Sequence, residues 1–150
     1  MKKLNRKGFT LIELLAVIVI LAVVMVVTIP SVLNSMASAR RRQAINAIHS
    51  IEEYVQKNYD ICVSNLSNEF NDLEHDSTIF TTSGNDKCVP KTDTTIITAA
   101  GYKTEDIASI TGSIVGNKYK ITAAEVMDNG KFNDVTGKHE GITFSIKSSR

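Results

Sequence analysis

From Leu14 to Ile29 every residue is apolar except Thr28, and counting from Phe9 the segment reaches 21 positions, broken early by Thr10 and Glu13. At 1.5 Å per residue a helix of that length is about 31 Å long, enough to cross the hydrocarbon core of a bilayer. The segment is dense in Leu, Ile and Val, which are weaker helix formers than Ala in water. An apolar medium selects the helix anyway, because it leaves no backbone polar group another partner. Pro30 lacks an amide proton and crowds the preceding turn, which predicts a kink or local opening between Val26 and Pro30. Beyond it, Leu33, Ala37, Ala44, Ile48, Ile51 and Val55 recur at spacings of three, four or seven, with Arg41 as a wet interruption and Ala47 and Tyr54 widening the face. That pattern predicts a helix continuing to Asn58 or Tyr59. From Phe9 to Asn58 it would be about 75 Å long.

After Asp60 the pattern breaks into short pieces. The stretch from Cys62 to Cys88 shows little periodicity and reads as a surface loop, and Asp86 to Asp93, with Pro90, as irregular chain. Thr94 to Thr98 is β-prone. Ser113–Val115 and Lys118–Thr122 flank Gly116-Asn117 and predict a hairpin. Thr122-Ala123-Ala124-Glu125 has capping-box spacing, so a short helical turn up to Met127 competes with continued strand. Asn129-Gly130 marks a turn. Ile142, Phe144 and Ile146 alternate with Thr143, Ser145 and Lys147, as in a half-buried strand. The expected fold is α+β: a long N-terminal helix whose C-terminal half packs on a small antiparallel β-sheet head. The expected segments are a basic leader (1–8), a membrane and core helix (9–30), its amphipathic continuation (31–59) and a globular head (60–150).

Charge sharpens this division. Lys2, Lys3, Arg6 and Lys7 crowd the first eight residues without an acid, whereas residues 60–150 hold nine basic and thirteen acidic side chains, a net of −4. The basic start is expected to stay cytoplasmic and the remainder to face outward. An acidic head is a poor surface for phosphate, so direct nucleic-acid binding is not expected. Exposure of the head to an oxidising compartment favours a disulfide between Cys62 and Cys88, with two separate buried thiols as the alternative. Arg40-Arg41-Arg42 lies just past the membrane segment. It reads as a solvated helix face, or as a belt contacting lipid phosphate and then acidic neighbours.

A basic leader before an apolar run also fits an ordinary secretory signal, and Ala37-Ser38-Ala39 has the small residues of its cleavage site. Cleavage there would release residues 40–150. Against this stand the length of the apolar region, the residues between Pro30 and the site, and Glu13, a carboxylate at the start of the span where ionisation is costly unless paired. Lys7-Gly8-Phe9-Thr10-Leu11-Ile12-Glu13-Leu14-Leu15 resembles the class III signal of type IV pilins and of the pseudopilins of competence and type II secretion. The resemblance covers about a quarter of the chain, from Lys2 to the start of the basic cluster. It implies a pilin-like fold, cleavage between Gly8 and Phe9 by a membrane prepilin peptidase, and methylation of the new Phe9 amine. Glu13 becomes the fifth mature residue, placed near the N-terminal amine of an adjacent subunit, and Pro30 matches the proline ending the first hydrophobic stretch. Ala22 stands where many such helices carry glycine, and no glycine lies between Phe9 and Pro30.

The resemblance implies a homopolymer built by a membrane assembly platform and an assembly ATPase. The subunit would await assembly among the lipids of the inner or cytoplasmic membrane and end in an extracellular or cell-surface filament. A structural pilus subunit is the leading expectation, with a secretion or DNA-uptake pseudopilin, or a minor pilin with an adhesive head, as alternatives. No enzyme, cofactor or metal site is expected. His49, His75 and His139 are scattered, Glu52 and Glu53 diverge around a helix, and Asp128-Asn129-Gly130 with Asn133 and Asp134 lacks EF-hand spacing. Asn65-Leu66-Ser67 matches a glycosylation acceptor, a pattern frequent by chance.

Overall fold

The structure is a computed structural model that describes residues 9–66, 74–81, 88–92 and 94–150. Helix α1 spans Leu11–Leu66 and is helical throughout, Pro30 included. The opening expected before Pro30 is absent. The segment lacks a glycine, whose conformational freedom would ease such an opening. The Thr28 hydroxyl donates to the carbonyls of Val24 and Met25, at 3.0 and 3.4 Å, and not to that of Val26, which Pro30 leaves without its usual amide. The chain divides into two compact units, Met1–Ser38 and Ala39–Arg150. In the first, the apolar side chains of α1 lie bare. In the second, Ala44, Ile45, Ala47, Ile48, Ile51, Val55 and Cys62 of α1 are buried.

The helix also runs seven residues past Tyr59, the later of its two expected ends. Asn58 is a poor helix former, but its side chain is engaged at both its nitrogen and its oxygen. Its Nδ2 donates to the Tyr54 carbonyl at 2.9 Å and its Oδ1 accepts the Asp76 amide at 2.7 Å. The buried stripe then continues seven residues beyond Val55 to Cys62, which is bonded to Cys88 with Cα atoms 5.9 Å apart.

A 3₁₀ turn at Ser77–Ile79 leads into β1 (Phe80–Thr81), which pairs antiparallel with β2 (Val89–Pro90). The described part of Cys62–Cys88 is therefore not the expected surface loop, because Ile79 and Phe80 are drawn into the core. Val89–Pro90, within the stretch expected to be irregular, is a strand because it pairs with β1. The β-prone Thr94–Thr98 stretch forms a helix instead, α2 (Thr94–Ala99). Ile96 and Ile97 are adjacent and both fully buried. A strand would send them to opposite faces, whereas a helix turns them only about 100° apart, so burial overrides propensity. Tyr102 N–H bonds the Ile97 carbonyl and Gly101 N–H the Thr98 carbonyl, both at 3.0 Å, with Gly101 at φ +84°. This is the closing pattern of a Schellman motif.

The main sheet contains β3 (Ile107–Val115), β4 (Lys118–Met127), β5 (Gly137–His139) and β6 (Ile142–Lys147), in the order β3-β4-β6-β5. The β3–β4 hairpin turns on Gly116-Asn117 as expected. Val115 sits opposite Lys118, and both turn residues have positive φ, which a two-residue type I′ loop requires. Strand wins over helix at Thr122–Met127 because Ala124 and Val126 alternate into the core, while Glu125 accepts from Ser109 Oγ at 2.7 Å. The antiparallel expectation holds for β3–β4 and β5–β6 but not for β4–β6, which run parallel, so the sheet is mixed. Of the predicted apolar face of β6, Ile142 and Phe144 are buried and Ile146 is 45% exposed. These strands share one core with the buried residues of α1 and α2, Ile79, Phe80, Phe132 and Val135.

Candidate assembly site

The sequence directs attention to the start of α1. Thr10 precedes the first helical residue, and its backbone N–H donates to Glu13 Oε2 at 2.8 Å while Glu13 N–H reaches Thr10 Oγ1 at 3.3 Å. Leu14 N–H bonds the Thr10 carbonyl at 3.2 Å. This reciprocal arrangement is a capping box, which satisfies donors that a helix start otherwise leaves unpaired. The Thr-x-x-Glu spacing was its available signal, obscured by reading Glu13 as a lone charge. Glu13 therefore has a local partner in the single subunit. Its carboxylate is also placed against the positive end of the helix dipole, where an acid is stabilised.

Around this cap the helix is apolar and uncovered. Phe9, Leu11 and Ile12 are more than 70% exposed, and the large apolar side chains remain exposed through Met36. By length and composition α1 can cross a membrane near the N-terminus. Pro30 lies inside this stretch, flanked by Thr28 and by Ser31, whose carbonyl accepts from Ser35 Oγ at 2.9 Å. Gly8 and the leader lie outside the described residues, as do Ser67 of the Asn65 sequon and residues 67–73 and 82–87 between the two cysteines.

The arginine triplet falls in the second unit. Arg40 Nη1 lies 3.4 Å from Asp134 Oδ2, while Arg41 and Arg42 are exposed. Asp134 is thus an arginine partner, and Asp128 accepts the Ser149 amide at 3.1 Å. The hydrogen bonds from Ser149 hold the Asp128 carboxyl below its usual range. Among the described residues no group of three or more His, Cys, Asp and Glu side chains is arranged to hold a metal ion.

Two polar constellations escape the sequence because each is completed by a residue distant in it. His49 sits between Glu52, at 3.2 Å, and Glu140, at 3.6 Å. Tyr54 donates to Asp76 Oδ2 at 2.8 Å, and Asp76 Oδ1 accepts the Thr78 amide at 2.9 Å. A groove of about 560 Å³ lies between α1 and the start of β4, lined by His49, Glu52, Gln56, Asp60, Lys118 and Tyr119 among others. Within it Gln56 Oε1 accepts the Tyr119 amide at 2.5 Å and Glu52 Oε1 the Ile121 amide at 3.3 Å.

A long N-terminal helix, bare and apolar over its first half, followed by a small mixed sheet defines the α+β, pilin-like class. Residues 3–29 match the family model described as the prokaryotic N-terminal methylation motif, so the chain carries the class III signal of type IV pilins and pseudopilins. No curated protein and no solved structure matches the chain. The family match covers residues 3–29 alone; it supports a type IV pilin-like or pseudopilin protein, implies prepilin peptidase processing, and together with the apolar helix supports membrane anchoring before filament assembly.

Proposed function

We propose that the chain is a structural subunit of a type IV pilus-like filament, not an enzyme. It is cut between Gly8 and Phe9, held in the membrane with its N-terminus cytoplasmic, and packed into a cell-surface polymer of its own copies by a membrane platform and an assembly ATPase. The observation that carries this reading is the bare apolar face of α1 from Leu11 to Met36 with one carboxylate, Glu13, at its start. Exposed apolar surface on that scale needs lipid or other subunits to cover it. Glu13 then supplies register. Cleavage adds an amine to the helix start, and a subunit staggered wrongly leaves that amine unpaired and the Glu13 charge with only its Thr10 cap in apolar surroundings.

N-terminal mass spectrometry of the membrane and sheared-surface fractions tests the reading. A product beginning at methylated Phe9 is expected; an intact Met1 or a start at Arg40 overturns it. At normal membrane levels of subunit, Glu13→Gln and Glu13→Ala are expected to lower pelletable polymer severely. Wild-type yield from both would remove Glu13 from assembly. Filament length and subunit ratio separate the structural subunit from a secretion or uptake pseudopilin and from an adhesive minor pilin, which would be short or scarce.

A further inference from the structure

Arg40, Arg41 and Arg42 are exposed on α1, although the buried core of the second unit begins two residues later at Ala44. Three successive helical positions spread over about 200° of circumference, so the guanidinium groups form a collar and not a single point of charge. Arg41 lies on the same stripe as Ala44 and Ile48, yet it is exposed. Arg40 is held by Asp134 in a pair whose side chains are 44% and 38% exposed, and among the described residues Arg41 and Arg42 have no carboxylate within ion-pair range.

We propose that this collar binds the phosphates of anionic phospholipid headgroups on the far side of the membrane from the N-terminus while the subunit awaits assembly. The proposal rests on the membrane-anchored reading above. Leu14 to Leu33 supplies 20 positions, about 30 Å of helix, which matches the hydrocarbon core. The arginines follow Leu33 by seven to nine positions, about 10–14 Å along a helix, a distance a snorkelling arginine spans back to the headgroup layer. The planar guanidinium fork fits phosphate oxygens in two-point contact. Charge argues the same way. Residues 60–150 carry a net of −4, which an anionic surface repels, and the collar sets compensating positive charge where that repulsion begins.

The test places the full chain in nanodiscs of phosphatidylcholine mixed with phosphatidylglycerol. Spin-labelled lipids then report the preference for phosphatidylglycerol next to the protein. The wild type is compared with the triple variant Arg40→Gln, Arg41→Gln, Arg42→Gln and with the corresponding triple lysine variant. The basic leader is common to all three, so differences belong to the collar. The glutamine variant is expected to insert as well as the wild type and to lose the preference by at least about fivefold, with an intermediate preference in the lysine variant, which keeps the charge but not the two-point contact. Equal preference in wild type and glutamine variant, with both inserted, overturns the proposal and leaves the anchoring reading intact. Unchanged lipid preference together with loss of polymer in the glutamine variant would also overturn it, and would assign the collar to acidic neighbours. A wild type that fails to insert overturns the anchoring reading and this proposal together.

Discussion

Asp76 caps the 3₁₀ turn and ties it to α1 with one carboxylate, accepting from the Tyr54 hydroxyl and from both the backbone and the hydroxyl of Thr78. The Thr78 and Tyr54 hydrogen bonds outweigh desolvation and hold it below its ordinary value of 3.8. A carboxylate depressed in the folded state adds stability that is present above its unfolded value and fades as pH falls through the lower folded one. Asp76→Asn is therefore expected to cost about 1–2 kcal/mol at neutral pH and to flatten the acid limb of stability. Urea midpoints between about pH 2 and 7, compared with wild type, check both effects. The Tyr54 phenol is pushed up to about 12, first by burial and then by its bond to Asp76 and that charge. Its contribution is fully present below the unfolded value of 10 and is lost as pH rises toward 12. Thr10 and Glu13 could be paired from their spacing, whereas Tyr54 and Asp76, 22 positions apart, carry no local signature of their contact.

Glu52 and Gln56 show how a helix can close a sheet. Strand β6 pairs with β4 only from Ala123 onward, so the start of β4 has an edge without a strand beside it. Two side chains one helical turn apart stand about 6 Å apart along α1, and alternate amides of β4 about 6.8 Å apart, so the two oxygens meet Tyr119 and Ile121 in turn. Glu52→Ala and Gln56→Ala are each expected to cost about 1–3 kcal/mol and to speed hydrogen exchange at these two amides before other parts of β4. In α1 itself, Ile51 is fully buried, and Ile51→Ala is expected to cost about 2–5 kcal/mol by denaturant titration of the intact chain. Ile48, Ile51 and Val55 were legible through helical spacing, and the β3–β4 turn through Gly116-Asn117. The helical state of Thr94–Ala99 was not, because its β-branched residues favour a strand until the core takes both isoleucines on one side. The parallel β4–β6 pair was equally hidden, since sheet order depends on contacts that local alternation does not encode.

For the molecule as a whole, the N-terminal half was the more readable. Lipid and polymer impose strict demands on composition, and the Gly8-Phe9 junction and Glu13 stand in a fixed order within it. The head answers only to its own packing, which many sequences satisfy. Its cysteine pair was foreseeable from compartment and count, and the bond ties the last turns of α1 to the start of β2. The 26-residue separation predicts a loss of roughly 3–4 kcal/mol when Cys62 and Cys88 are both replaced by serine, read as a lower denaturation midpoint matched by wild type under reductant.

The side-chain oxygens of Glu52 and Gln56 also bear on crowding. In the proposed filament, stacked subunits would hold their heads at very high local concentration, where a bare strand edge would recruit another copy's strand and seed disordered aggregates. By occupying those amides from within the same chain, α1 closes the start of β4 to such grafting and confines any open edge of the main sheet to its outer strands, β3 and β5.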